Sequence, residues 1–347
     1  MSDTTICDSP TGERGPATIM YTDLLRLSEH SVSIKLAEGV SNEGFLIVDL
    51  GAKLADILRR PMPATKSLLS YLRKQDPGIS WTGVVEWGKY ATSEPHSSQR
   101  ANKDCQTATP RVTAPVHKSH SSASKGVWPY SQVGIYRDRA QLRLARPGRY
   151  SESVDCVLAD QLLSSSGILH QVAASFLAHF CSANNVKSHE ELYDSDSTVL
   201  DAFHYPTGAP ARTRVVGGET VTVHPCPAHV DTGLVTVVVD DCPGLEVYLP
   251  TKDQWQKVIM TPNQVAVLVN RDLVALLRGE QSLAPTRYRV TRPDTAADSG
   301  VKDGRLCLTY EIRTSPAGAQ RINGDVKGKS GQQKRGEAAG KGQCAIC

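Results

Sequence analysis

His229-Val230-Asp231-Thr232-Gly233-Leu234-Val235-Thr236 decides how this chain is read. A histidine and an acid two residues apart on an extended segment project to the same face. One imidazole and one carboxylate can therefore meet a single metal ion. A second histidine from a distant strand would complete a facial triad and leave open positions for substrate and oxygen. No histidine follows His229 anywhere in the chain. Two readings of the pair stay open: metal ligands, or a hydrogen-bonded pair inside a barrel.

The surroundings of this stretch are β-rich. Thr220–His224, Leu234–Asp240, Leu245–Leu249, Gln256–Ile259, Gln264–Val269 and Leu306–Ile312 are short runs, mostly rich in β-branched residues. Asp241-Cys242-Pro243-Gly244, Pro250-Thr251-Lys252-Asp253 and Thr261-Pro262-Asn263 separate them as turns. Such spacing predicts a β-sandwich or barrel. Upstream, Gly44–Leu50 reads as a strand, and 54–72 as a helix broken at Pro61 and Pro63. The segment 154–185 reads as a long helix with a broad apolar face, with His170 and His179 as ordinary members of it.

Composition excludes several classes. With 39% apolar and 22% charged residues in 347, the bulk can bury a core. A net charge of +3 is too small to argue for nucleic acid. Nine cysteines at irregular spacing do not make a disulfide framework, and no apolar run is long enough for a membrane span. A cytoplasmic location follows as the expectation. Residues 1–20 read as a disordered lead-in, and 93–125, crowded with Ser, Thr, His, Pro and Lys, as a mobile surface loop. The expected organisation is a helical and strand region over 21–198, a β core over 199–316 and a basic disordered tail over 317–347.

The tail ends Cys344-Ala345-Ile346-Cys347, which fits a prenylation signal on Cys344 behind a basic stretch. That reading puts the protein at the cytosolic face of a membrane, since one lipid and a polybasic segment anchor together. The other reading is an unstructured tail.

From about Tyr21 to Pro316 the chain resembles the isopenicillin-N-synthase-like family of 2-oxoglutarate/Fe(II) dioxygenases. The resemblance rests on Gly44-Phe45-Leu46-Ile47-Val48, on Leu200 through Tyr205-Pro206, and most specifically on His229 to Gly279. That last run holds His-x-Asp-x-Gly-Leu-x-Thr, Gly244-Leu245-Glu246-Val247, Trp255 and Asn270-Arg271-Asp272-Leu273. The resemblance implies a mainly β fold with flanking helices around a double-stranded β-helix, or jelly roll. It implies iron on His229 and Asp231, with Tyr288 where the distal histidine should stand. It also implies 2-oxoglutarate held by Arg305, Cys307 and Tyr205, with Cys307 in the place of a serine; Arg313-Thr314-Ser315 matches the family's Arg-x-Ser in letters but sits too late, next to Pro316. Arg271 for glycine and Phe203 for a polar residue are further departures, and 292–304 reads as an insertion. Tyr288 is either a phenolate ligand or the filler of a hole left by a lost metal. Two functions follow. One is an oxygenase acting on a small organic substrate. The other is a catalytically inactive relative that binds a small acid or a protein partner.

Overall fold

The computed structural model describes residues 16–26, 36, 40, 43–75, 81–86, 111–113, 131–136, 138–145, 147, 157–186, 189–207, 212–277, 283–291 and 304–322. Two sheets build a jelly roll. The larger has ten strands in the order β1 (Thr18–Met20), β2 (Phe45–Asp49), β14 (Gln264–Val269), β11 (Val235–Asp240), β16 (Arg305–Ile312), β7 (Thr198–Tyr205), β6 (Ala140–Ala145), β5 (Ser131–Ile135), β3 (Trp81–Glu86) and β4 (Arg111–Thr113). The smaller has four, in the order β10 (Cys226–His229), β15 (Tyr288–Val290), β12 (Leu245–Leu249) and β13 (Gln254–Lys257). A separate hairpin pairs β8 (Arg212–Val216) with β9 (Glu219–Val223).

Strand alternation sorts the large sheet's side chains into two layers. Leu306, Leu308, Tyr310 and Ile312 of β16, Leu200 and Ala202 of β7, Leu142 and Leu144 of β6, and Val235, Val237 and Val239 of β11 are buried in one core. The short helix α1 (Tyr21–Leu24) and the helices α2 (Gly51–Arg59) and α3 (Pro61–Gln75) pack on it. The long helix α4 (Val157–Ala183) covers the same face with Leu162, Leu169, Val172, Phe176 and Phe180. Pro61 starts a new helix because its ring is accommodated at a first helical position but not in an interior. His170 and His179 serve as packing residues. Nδ1 of His170 lies 3.0 Å from the Tyr310 hydroxyl, and Nε2 of His179 lies 2.9 Å from Leu24 O.

The opposite face of the large sheet looks at the small one. Phe45, Ile47, Val238, Ala266 and Leu268 from the former meet Leu245, Val247, Leu249, Tyr288 and Val290 from the latter. Toward β6, β7 and β16 the same face turns polar, and there the two sheets enclose a cavity.

The structure departs from the sequence reading at both ends of the fold. The expected lead-in of 1–20 finishes in β1, which pairs in parallel with β2. The expected tail begins with a helical segment over 316–322, which buries Ile322. Ser315 starts it by accepting from the Gly318 amide at 3.1 Å, with Pro316 following at a position that needs no N–H. The sheet takes strands from both sides of residue 199. Of the loop over 93–125, only β4 lies within the described residues, and Cys344 lies outside them.

Candidate functional site

The cavity, of about 250 Å³, is floored by alternate residues of three neighbouring strands. Register aligns them in rungs. Arg305 sits opposite Tyr205, Cys307 opposite Phe203, and Thr309 opposite Asp201. On the other side of β7, Gln141 pairs with Phe203 and Arg143 with Asp201. On the far side of β16, Val238 faces Thr309 and Thr236 faces Glu311. His229, Asp231, Tyr288, Leu245 and Val290 close the cavity from the small sheet and its turn.

His229 ends β10, and Asp231 lies just past it in the turn to β11. That turn is tied down by the backbone, with the Arg271 amide donating to Asp231 O at 3.1 Å. His229 is the register partner of Tyr288, and their ring centroids are 4.4 Å apart. The three side chains meet. His229 Nε2 is 3.3 Å from Asp231 Oδ1. The Tyr288 hydroxyl is 3.1 Å from both Asp231 oxygens. Thr236 Oγ1 donates to Asp231 Oδ2 at 2.6 Å and accepts from Asn270 Nδ2 at 2.9 Å. The other histidine nitrogen, Nδ1, lies 2.9 Å from Pro227 O.

These contacts set the protonation states. The bond to Asp231 is the main cause raising the His229 pKa to about 10, with Cys226 adding to it. Burial would raise the Asp231 carboxyl, yet the bonds from His229, Thr236 and Tyr288 hold it below its ordinary value. Burial, followed by the adjacent Asp231, lifts the Tyr288 phenol well above 10. The resting site is therefore imidazolium, carboxylate and neutral phenol.

That donor set does not fit an iron ion. Nδ1 of His229 faces Pro227 O and Nε2 faces Asp231, so the ligand-type side chains that converge here, among the described residues, are one imidazole and one carboxylate, short of a facial triad. The neutral phenol is a donor to the carboxylate rather than a ligand. Among the described residues, no group of three His, Cys, Asp or Glu could hold a metal.

The other end of the cavity is different. Arg305 is fully buried. Its Nη2 donates to Asp240 Oδ1, and its Nε lies 3.3 Å from Cys242 O. Its Nη1 is buried without an acceptor among the described residues. Burial opposes the charge, but Asp240 outweighs it and raises the guanidinium above its ordinary value. Tyr205 lies beneath, its ring centroid 5.3 Å from the guanidinium carbon. Burial pushes both the Tyr205 phenol and the Cys307 thiol well up, so both are neutral donors. Gly244 makes room for the Arg305 stem, since a Cβ there would stand 2.9 Å from Cδ. Arg305 lines the cavity and carries a buried N–H with no acceptor among the described residues, and a carboxylate has the charge and shape to meet such a group. The residues here fit an acid such as 2-oxoglutarate.

The sequence reading does not single out Asp240, Arg139, Arg143, Asp201 or Glu311, and it holds Thr236 and Asn270 only as letters of the motifs, with no role in the site. Alternation on 199–205 and 305–311 could have marked Asp201 and Glu311, since each breaks an apolar strand on the Tyr205 and Arg305 face.

A prediction arises from His229. Its folded pKa lies above the ordinary value of 6.5, so its contribution to stability is complete below pH 6.5 and is lost as pH rises through about 10. Between pH 5 and 8 the ring is expected not to titrate in an NMR pH series. A titration midpoint near 6.5 would show that the pair with Asp231 is not formed.

No protein-family model matches the sequence, and no curated protein matches it. Solved structures do match its fold. One from Shewanella oneidensis, assigned as an oxygenase, is 15% identical, with a TM-score of 0.54 over 92% of this chain and 98% of that one. A C-terminally truncated Neurospora crassa protein in apo form is 15% identical, with a TM-score of 0.51 over 90% and 100%. A Caulobacter crescentus structure, assigned to the 2OG-Fe(II) oxygenases, is 15% identical, with a TM-score of 0.51 over 86% of each chain. With its jelly roll, flanking helices and a cavity between the sheets, this chain has the fold of the 2-oxoglutarate/Fe(II) oxygenases.

Proposed function

We propose that this protein binds a small organic acid in the oxygenase cavity and does not carry out iron-dependent oxidation. The observation that carries this reading is the Tyr288 hydroxyl, 3.1 Å from both oxygens of Asp231. It puts a proton donor where an oxygenase needs an imidazole lone pair, and it occupies the carboxylate as well. At the opposite end, the unpartnered Nη1 of Arg305 keeps the cavity suited to a carboxylate.

A second reading, an oxygenase with two protein ligands, is favoured by one observation: His229 and Asp231 do converge at the cavity wall, 3.3 Å apart. One pair of experiments separates the two. Calorimetry without metal is expected to show saturable binding of 2-oxoglutarate. Anaerobic Fe(II) titration with 2-oxoglutarate present is expected to show no charge-transfer band. A saturable band that disappears in His229→Ala would show an assembled iron site, overturn the iron-free half of the proposal and favour the oxygenase.

A further inference from the structure

The charges around the cavity do not balance among themselves. Arg305 is paired with Asp240, Arg143 with Asp201, Arg313 with Glu311 and His229 with Asp231. The Arg143 pair is a fork on both carboxylate oxygens, at 2.9 and 2.8 Å. Arg139 also lines the cavity but has no acidic partner among the described residues. Its Nη1 donates to Pro225 O at 3.0 Å, and its guanidinium carbon lies 5.0 Å from the Tyr136 ring centroid. Its Nε is buried with no acceptor among those residues. A positive charge held half-buried with an unmet N–H is unfavourable unless something else supplies the acceptor.

Its placement says where that acceptor comes from. Arg139 immediately precedes β6, in which Ala140 pairs with His204. One step along the same ladder, Arg139 flanks Tyr205 from one side. Arg305 is the register partner of Tyr205 from the other side. Both guanidiniums lie close enough to the Tyr205 phenol to offset part of the effect of its burial. Two cations, each with an unmet buried N–H, therefore bracket one tyrosine at one end of one cavity. They stand on the strands either side of β7, roughly 10 Å apart at the backbone, twice the inter-strand spacing. Planar guanidinium forks match carboxylates in shape.

We propose that Arg139 is a specificity-determining residue: it and Arg305 each hold one carboxylate, so the cavity selects small dicarboxylates over monocarboxylates. This inference rests on the acid-binding reading and narrows it. A monoacid of the same length satisfies only one of the two cations, and the other keeps its unmet N–H.

The test is calorimetry of the full chain, without metal, with succinate against butyrate and 2-oxoglutarate against 2-oxovalerate. The dicarboxylates are expected to bind on the order of 10-fold more tightly. Arg139→Gln should reduce that ratio to near one, chiefly by weakening the dicarboxylates. Arg139→Lys should keep part of it, because the charge remains but the fork does not. Equal affinity for succinate and butyrate in the unsubstituted protein would overturn the inference and leave acid binding standing. So would a ratio that survives Arg139→Gln. If neither acid binds, the acid-binding reading itself fails and the inference with it. The comparison of acids in the unsubstituted protein needs no variant, so it decides even if Arg139→Gln does not fold.

Discussion

Tyr288→His is expected to create Fe(II) affinity that the parent chain lacks, on the order of 100-fold tighter, or about 2.8 kcal/mol. The substitution acts twice. It removes the phenol that donates to both Asp231 oxygens, and it puts an imidazole opposite His229 in the β10–β15 register. With Asp231 released from one of its donors, His229 and the new histidine supply two nitrogens beside it. Binding would draw protons off the imidazoles, so affinity should rise with pH. Iron content after anaerobic gel filtration reads the result directly. Tyr288→Phe is the control, since it also frees Asp231 but adds no ligand. An equal gain in Tyr288→Phe would place the effect in the released carboxylate. No gain in Tyr288→His would mean that the backbone around 229–231 no longer holds metal-binding geometry.

Arg305→Met is expected to abolish acid binding and to destabilise the fold by about 3–5 kcal/mol, the usual cost of leaving a buried charge without its partner. Asp240 is the reason. It is buried, one of its oxygens already lacks a partner among the described residues, and Arg305 bonds the other. Replacing both residues by apolar ones of similar size, as in Arg305→Met with Asp240→Leu, should recover most of the stability without recovering binding. Urea denaturation gives the stability and calorimetry the binding. If Arg305→Met retained its affinity for 2-oxoglutarate, the acid would have to sit elsewhere, and both the site and the role of Arg139 would be wrong.

Much of the core was legible in the chain. Leu245–Leu249 and Gln264–Val269 fall where β-branched runs and turn residues place them, and the long helix lies within 154–185. These elements are set by local patterns: period two for strands, period 3.6 for the helix, and glycine, proline and asparagine at the turns. The shorter strands were harder. Cys226–His229 has a proline and a polar end, and Tyr288–Val290 is three residues long, so neither carries enough pattern to be seen alone. Both exist because they pair with each other, and β15 also pairs with β12.

The site divides along the same line. Its ingredients are present in the residue order alone: a histidine and an acid two apart, no later histidine, a tyrosine in the distal position, and an arginine opening the last strand. Residue order leaves open whether His229 and Asp231 are ligands or a bonded pair, because both use the same spacing. Folding decides which of these side chains meet. Tyr288 and His229 become cross-strand partners closing on Asp231, Arg305 is bonded to Asp240 yet keeps one N–H unmet, and Arg139 stands across Tyr205 from it. These are relations between residues 57 to 166 positions apart, created by sheet register. Local pattern sets which face a side chain takes, but only the pairing of distant strands sets which side chains share it.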